Sequence, residues 1–131
     1  MSFDPLYLRF FDLYHAKEYW EAHEALEDLW QTERSNDFYH GLIQIAAIHH
    51  QLERGKVRGV RKLATSALRY LTPYAPECDR VQITCILQWL QFCLDRLPDD
   101  IQQIPVEDMA QFAIPICSLP TSKELQETEI R

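Results

Sequence analysis

The sequence predicts an all-α fold, one domain of about five helices followed by an irregular C-terminal tail. Three observations carry that prediction. Apolar residues recur three and four positions apart over most of residues 1–97, the repeat of a helix with one buried face. The chain holds only 3 glycines and 7 prolines among 131 residues, too few turn formers for a many-stranded sandwich or barrel. Chains of this length that are 47% hydrophobic and 25% charged bury one core rather than two, and their composition is not that of a disordered protein.

Asp4-Pro5 is a helix start, because the carboxylate accepts from a free first-turn amide and proline supplies a preset φ; a first helix is expected from Pro5 to His15. The second, expected from Glu18 to Trp30, places Tyr19, Ala22, Leu26, Leu29 and Trp30 on one arc. Ser35-Asn36-Asp37 is capping chemistry for a third helix, Asp37 to Arg54, whose stripe is Leu42, Ile45, Ile48, His49 and Leu52, with a stop near Gly55. The fourth, Val57 to Leu71, buries Val60, Leu63, Ala64, Ala67, Leu68 and Leu71 and ends at Thr72-Pro73. A fifth is expected from Asp79 to Leu97. Its apolar surface is double: Val81, Cys85, Trp89 and Phe92 in one row, Ile83, Ile86, Leu87, Leu90, Leu94 and Leu97 in the other. So wide a stripe needs a second cover, either the tail, with a short helix near Val106 to Phe112, or another subunit in a homo-oligomer.

Residues 1–97 therefore read as the helical domain and 98–131 as an extension packing partly on it, polar after Leu119 and free to be disordered there. That extension carries −5 of the net charge of −7. Residues 54–69 nevertheless hold six bases and no acid, a local basic patch on an acidic chain, which argues against nucleic-acid binding across the whole surface. Cys78, Cys85, Cys93 and Cys117 form no C-x-x-C pair and read as reduced thiols, with Cys85 and Cys93 as small hydrophobes in the fifth helix. No apolar run is long enough to span a membrane and the N-terminus lacks a signal-peptide pattern, so the expected location is the cytoplasm.

Chemistry concentrates in Tyr19–Trp30. On a helix, Trp20, His23, Glu24 and Glu27 are joined by three- and four-residue steps, and no base lies between Glu18 and Glu33 to neutralise them. Three readings stand open. His23, Glu24 and Glu27 form a structural network with the third helix; or His23 and Glu27, with His49, ligate a metal; or His23 and a carboxylate act as an acid–base pair. The spacing is neither H-E-x-x-H nor the paired Glu-x-x-His of di-iron bundles. No cofactor is expected.

Trp20-Glu21-Ala22-His23-Glu24, Leu26-Glu27 and Trp30, followed by Phe38-Tyr39 and Gly41-Leu42-Ile43-Gln44-Ile45-Ala46, resemble the signature of the family called domain of unknown function 309. The resemblance covers about Phe11 to Leu71 and implies a small all-helical protein, with no activity attached. It maps the family's shared polar positions onto His23, Glu24, Glu27 and Gln44. Lys17 departs from it, standing where many members have glycine, and Val60 replaces the common alanine after Gly59.

Flanking this polar cluster are Trp20, Trp30, Gly41 and His49. Gly41 permits close helix approach, and His49, on an apolar face, reads as a hydrogen-bonded core histidine. The tryptophans read as core or interface bulk rather than a base-stacking platform, since no bases interleave with them. Arg54, Arg58, Arg61, Lys62 and Arg69 project from one side of the fourth helix, a solvated face or a phosphate-contact row. Gly55-Lys56-Val57-Arg58-Gly59 is too short for a P-loop. The functional expectation is a cytoplasmic helical protein whose His/Glu/Gln cluster is a structural or small-ligand site. The rivals are an enzyme at the same cluster, metal-dependent or acid–base, and an interaction module using the basic row.

Overall fold

The computed structural model describes residues 3–127. Helices α1 (Pro5–His15), α2 (Tyr19–Trp30), α3 (Asp37–Glu53), α4 (Val57–Leu71) and α5 (Ile83–Arg96) each pack chiefly on the next, and a short α6 (Ser122–Gln126) returns to α1. Local chemistry sets the ends. The Asp4 carboxylate accepts from Leu6 N–H and the Asn36 side chain from Tyr39 N–H, satisfying donors the first turns of α1 and α3 leave free. Both helices close with left-handed residues, Lys17 (φ 62°) and Gly55 (φ 69°). In each case the next amide reaches back five residues, Glu18 N–H to Leu13 and Lys56 N–H to Gln51.

α1 buries Tyr7, Phe10, Phe11 and Tyr14 against α2 and α3, and Leu42, Ile45, Ile48, Val60, Ala64, Ala67 and Leu71 fill the α3–α4 side. Gly41 lies where a Cβ would overlap the Leu71 side chain, so its close approach is to α4, a plain helix crossing.

The fifth helix starts four residues later than its periodicity suggests. Glu77–Cys78 (β1) and Val81–Gln82 (β2) pair antiparallel, and Asp79 and Arg80 between them both take positive φ, the two-residue turn that matches strand twist. Pro76 C=O then accepts from Ile83 and Thr84 N–H, so α5 begins there. Cys85 is exposed rather than core, although Val81 and Trp89 on either side of it in the same row are buried; Cys93 is buried.

The cover is the tail. Arg58 N–H donates to Gln102 C=O and Ile104 N–H to Gly55 C=O, laying the chain over the α3–α4 junction. The short helix expected near Val106 to Phe112 follows, in 3₁₀ form. Trp89 Nε1–H then donates to Pro115 C=O at 2.8 Å, and Tyr14 O–H to Cys117 C=O at 2.6 Å. Beyond Leu119 the chain stays built: Thr121 and Glu124 form a capping box on α6, Ser122 bonds Asp12, and Leu125 is buried. Residues 128–131, the end left free in the sequence reading, lie outside the described residues.

Candidate functional site

The α2–α3 seam carries the polar side chains. Ring contacts fix its register: Trp20 meets His50 at 5.3 Å and Trp30 meets His40 at 4.5 Å, which in an antiparallel pair puts Ala47 across from His23 and Ile43 across from Glu27, with Gln44 the next residue along α3. His23 lies flat against Trp20, 4.8 Å between centroids and 10° between planes, and its Nε2 is 3.5 Å from Glu27 Oε2. Burial lowers the His23 pKa below the usual imidazole value, with Glu27 pulling the other way. Two buried atoms of this seam, His23 Nδ1 and Gln44 Oε1, have no partner; Trp30 Nε1 is a third.

Glu24 stands apart. It is exposed and lines the α1–α2 groove with Leu6, Arg9 and Asp28, because the 100° step from His23 turns it toward α1. His49 also lies elsewhere, 4% exposed between Tyr14, Tyr19 and Trp89, its Nε2 accepting from Cys117 N–H. His23, Glu27 and His49 therefore do not converge, and among the described residues no three His, Cys, Asp or Glu side chains gather as metal ligands.

The basic row divides. Arg61 Nη1 donates to Leu94 and Leu97 C=O and caps α5; Arg69 sits over Tyr70, 5.0 Å from its ring. Arg58 and Lys62 line one cleft with Asp99, and Arg54, which precedes α4, lines another with Trp20. One array escaped sequence reading: Trp30, His40 and Tyr70 stack across α2, α3 and α4, with Arg34 and Arg69 at the two ends. Its members come from three helices, and its only sequence signal is an aromatic or histidine on each polar margin.

Fold and seam together define a small helical domain with a partly roofed polar seam between its second and third helices. The family model described as Domain of unknown function (DUF309) matches residues 7–63, from α1 into α4, the segment that carries the resemblance of Trp20–Glu24 and Gly41–Ala46. No curated protein and no solved structure matches the chain.

Proposed function

We propose that the α2–α3 seam is a small-ligand site and that the protein is a ligand-binding helical domain of the cytoplasm. One observation carries the reading: His23 Nδ1 and Gln44 Oε1 are buried on facing helices without a protein partner. A closed structural network would satisfy both, since an unmade buried hydrogen bond costs about 1–3 kcal/mol. A binding site keeps such groups at the expense of stability. Trp20 roofs His23 and remains 46% exposed, so a side-chain rotation opens the seam without moving a helix. Four free cysteines suit a reducing compartment, and no described helix is long and apolar enough to cross a membrane.

Gln44→Leu tests this. It removes the orphaned amide at nearly constant volume, so the urea midpoint should hold or rise. A loss of about 1–3 kcal/mol would mean that water or side chains complete a structural network there, and would return the seam to a packing role.

A further inference from the structure

We propose that the mouth of this seam binds a phosphorylated planar ring, the chemistry of a nucleoside monophosphate, with the ring on Trp20 and the phosphate between Arg54 and Lys56. The inference rests on the ligand-site reading of the seam, because Trp20 belongs to both, and it adds the ligand class.

Trp20, His50, Gln51, Arg54 and Lys56 line one cleft of about 450 Å³, within the size range of small-ligand sites. Neighbours 30 or more positions apart bring an indole and two cations together, the combination sequence order had hidden. Trp20 is the only large hydrophobic residue of the described helices α1–α6 that is well exposed; Ile101, Val106 and Ile116 are the others, all in the tail outside those helices. The indole packs on His23 and beside His50 and is still 46% exposed, which leaves ring surface on which a second ring can stack.

The positive charge is unspent. Among the described residues no Lys or Arg lies within 4.0 Å of a carboxylate, and no acid lines this cleft; Glu53 belongs to the neighbouring one, with Tyr19 and His49. Lys56 Nζ donates to Gln103 Oε1 at 3.0 Å, a neutral partner that positions the ammonium without cancelling it. The negative end of α3 is also muted: Gln51 C=O accepts from Arg54 and Lys56 N–H, and Leu52 C=O from Gly55 N–H. Phosphate alone would need no indole and a bare aromatic ring no cations; the pairing selects a ligand with both.

Calorimetric titration of the full chain with AMP, adenosine, inorganic phosphate and a short oligoadenylate, at low ionic strength, tests the proposal. AMP should bind about tenfold or more tightly than adenosine or phosphate. Trp20→Ala should weaken AMP about tenfold, Trp20→Phe less, and Arg54→Gln with Lys56→Gln should reduce AMP to the level of adenosine. All three positions lie on the surface or at its margin, and circular dichroism checks each fold. AMP binding no tighter than phosphate, binding indifferent to Trp20→Ala, or binding of oligoadenylate without AMP would overturn it. Gln44→Leu stability reports on the seam and the AMP titration on its mouth, so the two readings fail separately.

Discussion

Cys117 donates its backbone N–H to Nε2 of His49 at 3.2 Å, tying the tail to the C-terminal half of α3. The imidazole is thereby the Nδ1–H tautomer, held between the Tyr19 and Trp89 rings with Tyr14 at its edge. Protonating Nε2 would place a second donor against the Cys117 donor inside an aromatic cage. Burial accordingly pushes the His49 pKa down to about 4.

Stability should fall with acid through this group. A histidine whose folded pKa is depressed contributes fully above its unfolded value of about 6.5, and the contribution is lost as pH falls toward 4, up to about 3 kcal/mol. Urea midpoints from pH 7.5 to 4.5 should drop more steeply in the wild type than in His49→Phe. His23 and His40, both lowered by burial, add slope common to the two proteins. Parallel profiles would remove His49 from this role.

Lys17→Gly should stabilise the protein by about 1 kcal/mol. Lys17 sits at φ 62°, where a Cβ is strained, and closes α1 with Lys17 N–H on Tyr14 C=O. The side chain is exposed and makes no hydrogen bond, so little is lost with it. The glycine common at this place in the resembled family now has a physical reason. Thermal unfolding measures it; an unchanged or lowered midpoint contradicts the strain argument.

Much of this was legible in the sequence, for reasons that also mark where it stopped. Asp4-Pro5, Asn36 and Gly55 bound helices through their own side chains or φ, and the α1–α4 stripes follow a single period. Asp79 and Arg80 make their turn without glycine, and Val81 continues the α5 period, so the hairpin left no trace. The tail docks largely through carbonyls of Pro115, Cys117 and Leu119, which no side-chain pattern encodes. At the seam, spacing found His23 and Glu27 but could not turn Glu24 away. It also could not pair Trp20 with Arg54 across more than thirty residues.

Gly41→Ala should destabilise by about 1–3 kcal/mol, since its methyl group would meet the fully buried Leu71 and force α3 and α4 apart. Leu71→Val in the same chain makes room and should recover part of the loss, a coupling that a double-mutant cycle in urea detects. Additive losses would show that the helices yield elsewhere.

A chain ending at Pro98 should lose several kcal/mol and expose the α5–α3 face. Leu119 and Leu125 are each buried to within 6%, and placing such side chains out of water contributes about 1.5–3 kcal/mol apiece. The cut also orphans three buried or half-buried groups at once: Tyr14 O–H, Trp89 Nε1–H and His49 Nε2 lose Cys117 C=O, Pro115 C=O and Cys117 N–H. Against this stands the backbone entropy regained by some thirty residues, part of which the polar, exposed segments contribute at no loss of burial. The newly bared surface around Trp89 is apolar, so the truncated chain should either melt at a lower temperature or associate through that face. Calorimetry and light scattering together decide: an unchanged midpoint with an unchanged mass would mean that the tail's contacts do not stabilise the fold.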